Sequence, residues 1–128
     1  MKVISPKFHV ILDYLTVIFL FASPSLFYLS DVAKNICYML GGIHLLVTIC
    51  TDFTGGLFKV IPFPIHGLIE FFVGFGLAVA AFTYFKHNNL DQTYFATLGV
   101  VVLLVFLLTD YKRETVKKSL LTDSRIHS

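Results

Sequence analysis

The chain has 128 residues, of which 56% are hydrophobic and 14% charged, and its formal net charge is +2. A soluble domain carries about 25% charged and about 45–50% apolar residues, so a chain with a mean hydropathy of +0.80 has too little polar surface to cover a water-soluble globule. Its 14 Phe and 6 Tyr exclude a disordered segment, which leaves a small integral membrane protein.

Four apolar runs follow in chain order. The first, Phe8–Leu29, is interrupted by Asp13 and by Pro24, which is expected to kink a helix near Leu20. Asp13 and the lack of a small-residue cleavage site after a short apolar stretch argue against a cleaved signal peptide, although Ser23-Pro24-Ser25 mimics one. The second run is Ile36–Thr51, the third Ile65–Phe85 with Glu70 inside it, and the fourth Tyr94–Thr109. A helix needs about 20 residues to cross ~30 Å of hydrocarbon. The second and fourth runs therefore sit at the lower limit unless their polar flanks extend them. The stretch Leu98–Leu108 does not alternate with period two, which argues for helices over a barrel. Residues 112–128 are polar with Val116, Leu120 and Leu121 interspersed, and read as a cytoplasmic tail that continues the fourth helix and then lies on the membrane surface.

Charge sets the expected orientation. Lys2, Lys7, Lys59, Lys112, Arg113, Lys117, Lys118 and Arg125 fall on one side, and only Lys34 and Lys86 on the other. The positive-inside rule then places both termini and the middle loop in the cytoplasm. This basic face suits anionic lipid head groups, and no aromatic-interleaved basic patch points to nucleic acid. Cys37 and Cys50 lie thirteen residues apart on one expected helix, about 20 Å along its axis, too far to bridge. A buried inert thiol is expected at Cys37, with its pairing to another chain as the alternative.

The sequence aligns with itself. At an offset of 57, His9 falls on His66, Asp13 on Glu70, Tyr14 on Phe71, Leu20 on Leu77 and Gly42 on Gly99. At 58, Thr51-Asp52-Phe53 falls on Thr109-Asp110-Tyr111. The chain thus reads as one membrane domain made of two copies of a helical hairpin, about 8–53 and 65–111, with a one-residue slip in or near the second. Each copy has two spans, so both insert in one orientation, the parallel-repeat case.

His9-x3-Asp13-Tyr14, Ser23-Pro24, Thr51-Asp52-Phe53, Ile61-Pro62 and His66-x3-Glu70 together resemble the SPW-repeat family of small bacterial membrane proteins. The likeness covers about residues 8–111. It departs where the family has Trp, because Ser25 stands there and the chain has no Trp. It implies a four-helix protein of the bacterial inner membrane and no particular activity.

Parallel repeats gather His9, Asp13, Asp52, His66, Glu70 and Asp110 at the cytoplasmic end of an all-α four-helix bundle. His9 and Asp13 are i and i+4, as are His66 and Glu70, so each pair shares a helix face. Ionisable groups inside a span are costly and usually face the bundle interior. Three uses compete. In the structural one, each carboxylate pairs with its own His or with Lys7, Lys59 or Arg113, while Asp52 and Asp110 are interfacial. In the second, His9, Asp13, His66 and Glu70 bind a divalent metal. In the third, the same groups relay protons or cations, which would call for a homodimer or a larger membrane complex. Gly41, His44, Thr48 and Asp52 form a polar stripe on the second helix. Haem between His44 and His9 or His66 is disfavoured, because His44 falls near mid-span and the others near the edge. His44 is expected instead to hydrogen-bond within the core. Gly67, Gly74, Gly76, Ala78 and Ala81 form a small-residue stripe for helix packing, and Gly55-Gly56 lacks the pattern of a phosphate loop. No nucleophile elbow or reactive-Cys context is present. The residues favour a non-enzymatic accessory subunit or small-ligand binder over a metal-dependent enzyme or a conduit.

Overall fold

The computed structural model describes residues 2–126, and the side chains of 113–118, among them Arg113, Val116, Lys117 and Lys118, lie outside the described residues. Five helices follow one another: α1 (Pro6–Leu26), α2 (Asp31–Ile49), α3 (Phe63–Phe82), α4 (Asn89–Leu108) and α5 (Lys112–Ile126). The first four are each long and apolar enough to cross a membrane. α1 packs along α2, and α3 along α4.

Start signals explain the helix bounds. Ser5 caps α1 through Phe8 N–H, with Pro6 in the first turn, and Ser30 caps α2 through Ala33 N–H. Asn88 caps α4 through the N–H groups of Leu90 and Asp91. Each side-chain oxygen satisfies a helix N–H that has no partner within the helix. As a result α2 and α4 begin five residues before their apolar runs, in polar turns carrying Asp31 and Asp91. Their lengths of 19 and 20 residues meet the spanning requirement that the apolar runs alone did not.

Helix α1 runs on through Pro24 and stops two residues later. A proline so near the end leaves little helix beyond it to redirect. The Ser23 hydroxyl donates to the Phe19 carbonyl, and Phe27 N–H closes the end on Ser23 O. The tail differs from expectation, because helix four does not continue. Thr109 N–H reaches only Phe106 O, the Asp110 N–H donates to Ile4 O, and the Asp110 carboxylate accepts from Lys112 N–H at the start of α5.

Short extended segments close the bundle at this end. β1 (Thr51–Asp52) pairs in parallel with β2 (Ile61–Pro62), and Thr109 forms a parallel bridge with Ile4. The segment leaving α2 thus pairs with the one entering α3, and the segment leaving α4 with the one entering α1.

The outer surface is apolar. Ile11, Leu15 and Ile18 on α1, Met39 and Leu46 on α2, Phe72 and Phe75 on α3, and Leu104 and Leu107 on α4 are all exposed, the distribution expected of a bundle solvated by hydrocarbon. One buried cluster, with Leu20, Ala33, Cys37, Ala81 and Phe95, fills the half nearer the α1–α2 and α3–α4 turns. A second, Val10, Phe53 and Phe63 flanked by Tyr14 and Tyr111, fills the strand end. Both cysteines are free thiols. The small-residue stripe holds in part. A Cβ on Gly74 would lie 3.1 Å from Gly99 O, and one on Gly99 would lie 2.8 Å from Gly74 O, so these two glycines let α3 and α4 touch backbone to backbone. Gly76 and Gly42 face open space and take no part. Gly41, not Gly42, is packed, against the Phe21 ring. Gly55 and Gly56 are packing residues too: a Cβ would collide with Val10 at the first and with Thr51 O at the second.

Candidate functional site: a buried histidine–carboxylate centre

The first turns of α1 and α3 meet. His9, Asp13, His66 and Glu70 are 0%, 2%, 0% and 6% exposed. His9 Nε2 lies 3.2 Å from Asp13 Oδ1 and 3.3 Å from Glu70 Oε2. His66 Nε2 lies 3.2 Å from Asp13 Oδ2 and 3.4 Å from Glu70 Oε1. Each imidazole is therefore straddled by both carboxylates, its own and the other helix's. These are ion-pair distances, yet His9 Nε2, His66 Nε2 and Asp13 Oδ2 have no hydrogen-bond partner among the described residues. The ring nitrogens sit between oxygens without the geometry to bond to either.

The other face of each ring is fixed. His9 Nδ1 lies 2.8 Å from Thr109 Oγ1, and His66 Nδ1 lies 2.7 Å from Thr51 Oγ1. Each threonine hydroxyl also donates to the carbonyl four residues earlier, Val105 O and Val47 O, at 2.6 Å in both cases. A hydroxyl has one proton. With that proton on the carbonyl, the oxygen accepts from the ring, so both Nδ1 atoms carry hydrogen. Both Nε2 atoms then face the carboxylates, and in a neutral ring Nε2 would carry the lone pair that can ligate a metal.

Tyr111 completes the shell by donating to Glu70 Oε2 at 3.0 Å. Burial, and after it the Glu70 charge, pushes its phenol above the ordinary tyrosine range, which keeps it a donor. Its ring occupies space that only glycine leaves open, since a Cβ on Gly67 would lie 2.5 Å from it.

His44 reaches the same place. Its Nε2 is 3.5 Å from Asp13 Oδ1, and its ring centroid is 6.2 Å from that of His66. The expected mismatch of depth is corrected by the true start of α2. With the helix beginning at Asp31, His44 is five residues from its end at Ile49, level with Asp13. Thr48 is fully buried, and its hydroxyl has no partner among the described residues. Asp52 and Asp110 stand apart from the centre, in the extended segments that follow α2 and α4, both half-buried. Within each Thr-Asp pair it is the threonine that touches the imidazole. The signal for this in the sequence is the matched pair Thr51 and Thr109. Lys7 and Lys59 are exposed, and the carboxylates pair with imidazoles instead of with them; the Arg113 side chain lies outside the described residues.

The centre is closed toward the strand end. Phe63 lies edge-on to His9 with ring centroids 5.2 Å apart, Phe53 is 5.8 Å from His66, and Tyr111 is 4.7 Å from Phe63. The Tyr14 hydroxyl holds the middle loop over this plug by donating to Gly55 O at 2.9 Å.

With both imidazoles neutral, the two carboxylates would leave a charge of −2 in a buried site, which is costly without cations. One ligand atom from each of the four residues lies within 4.8 Å of the others. The four N···O separations of 3.2–3.4 Å run from each Nε2 to a different oxygen of each carboxylate, so an ion taking one atom from each residue would draw together donors that lie within 4.8 Å of one another. Compared with protein-family models, with curated proteins and with solved structures, the chain matches none.

Proposed function

We propose that this chain is a membrane-embedded, non-enzymatic binder of one divalent transition-metal ion, held by His9, Asp13, His66 and Glu70. The observation that carries the reading is the pair of Nε2 atoms, turned inward by threonine hydroxyls and left without hydrogen-bond partners between two acids. Metal-bound histidines characteristically donate their second ring N–H to an outer group, and Thr51 and Thr109 supply that group here. Imidazole nitrogens favour a transition ion over magnesium or calcium. A divalent ion also balances the buried charge. The aromatic plug over the strand end supports holding an ion over passing one, so a conduit is the weaker use of the same residues.

In this reading the chain is two copies of one hairpin inserted the same way up, in the bacterial inner membrane, with both termini in the cytoplasm. The reciprocal pairing of Thr51 with Ile61 and Thr109 with Ile4 supports it, as do the matched threonine–histidine bonds. Gly41 and Gly99, the two packed glycines of α2 and α4, correspond at an offset of 58. That correspondence supports a one-residue slip before Gly41. The residues that carry the SPW-repeat likeness include the His and acid of both pairs, so membership belongs to the same proposal.

The test is metal analysis of the purified protein. One ion per chain is expected, and none in the Asp13→Asn, Glu70→Gln double variant. A wild-type protein that stays metal-free after exposure to zinc, iron and manganese would sink the reading.

A further inference from the structure

Beside the centre, on the side away from the aromatic plug, residues of all four helices line a partly open cavity of about 50 Å³. Glu70 and His44 form part of its wall, with Thr16 and with apolar residues such as Leu20, Val73 and Val102. The plug draws on Val10 and Phe63, before the carboxylates along α1 and α3. The cavity begins near the carboxylates and runs on to Leu20 and Leu77. The metal site is thus shut on one side and faces a small void on the other.

We propose that this void receives an uncharged molecule of two or three heavy atoms, which binds the ion at a coordination position left open by the four protein ligands. The inference rests on the metal reading above. Three observations select the class of ligand. The volume is a third of the ~150 Å³ that accommodates benzene in an apolar cavity, so a larger molecule does not fit. The lining is apolar apart from Glu70, His44 and Thr16, so a free anion would meet an uncompensated desolvation cost. The void also lies within the span of the helices, where a dissolved gas arrives from the surrounding hydrocarbon without crossing the plug. His44, whose Nε2 lies 3.5 Å from Asp13 Oδ1, is a polar group on the cavity wall beside the proposed ligands.

The probe is nitric oxide, added without oxygen to the detergent-purified protein loaded with iron(II). Its binding to non-haem iron(II) gives a distinctive paramagnetic signal. We expect that signal in the wild type. In Val73→Phe and Val102→Phe, which fill the void and touch none of the four ligands, iron content should stay at the wild-type level. The nitric oxide needed for half-saturation should rise about tenfold or more, equivalent to at least about 1.4 kcal/mol. Iron-loaded wild type without the signal overturns this inference and leaves the metal reading standing. So does a filled variant that keeps both iron and signal. Loss of iron from both variants also overturns it, because the void would then belong to the packing that holds the ligands. Failure of the wild type to take up iron or any other ion overturns both.

Discussion

Asp91 and the Asp13–Glu70 pair are buried alike, at 1%, 2% and 6% exposure, in opposite ends of the bundle. Asp91 lies in the first turn of α4 and accepts the Ser30 N–H at the head of α2 at 3.1 Å. Backbone donors and the positive end of a helix serve its charge. Asp13 and Glu70 sit further along their helices, where the backbone N–H groups are spent within the helix, and among the described residues their polar partners are imidazoles and one phenol. Burial of a carboxylate therefore says little until its partners are known. Asp91 is a clasp between the hairpins, reinforced by Tyr94 donating to Ser23 Oγ at 2.7 Å. The pair at the other end faces imidazoles, the arrangement on which the metal proposal rests.

Three substitutions sharpen this contrast. The largest effect is expected at the threonines. Thr51→Val and Thr109→Val each remove the group that orients an imidazole, and each should weaken metal binding by about 10- to 100-fold, measured by competition with a chromogenic chelator. Unchanged affinity in both would mean that the hydroxyls only cap helix ends. A smaller effect is expected at the clasp. Asp91→Asn keeps an acceptor for Ser30 and loses the charge, so thermal unfolding in detergent should show a loss of about 1 kcal/mol, with metal content unchanged. A drop in metal content there would erase the distinction between the two ends.

An effect confined to alkaline pH concerns Tyr111. Its folded phenol holds its proton more tightly than the unfolded one, through burial first and the Glu70 charge second. Its contribution to stability is therefore fully present below about pH 10, the unfolded tyrosine value, and falls as pH rises further, by at most about 1.4 kcal/mol per pH unit. Tyr111→Phe should make the alkaline decline shallower by up to that amount, read from unfolding between pH 9 and about 11. An identical decline in both proteins would show that the phenol does not titrate with unfolding.

The spans and the His–acid pairs were legible because two strong rules act on them: apolar length, and the cost of an ionisable group in hydrocarbon. The starts of α2 and α4 were not, since their first turns are polar and depend on the Ser30 and Asn88 caps. That error propagated to His44, whose depth was judged from the apolar run and not from the helix. Thr51 and Thr109 were visible as matched residues, but their role depends on parallel pairings between segments far apart in the chain. Tyr111 was hidden for the same reason. Only the break after Leu108 turns it back onto Glu70.

The reciprocal strand pairing has one more consequence. Neither half can close its own end: the segment leaving α2 needs a neighbour's entry strand, and the hydroxyl of Thr51 needs an imidazole from the next helix. If the halves are copies of one hairpin, as proposed above, a single hairpin meets that need only by associating with a twin, each bringing one imidazole and one acid to the shared axis. His44, which has no counterpart in the second half, falls outside that symmetry.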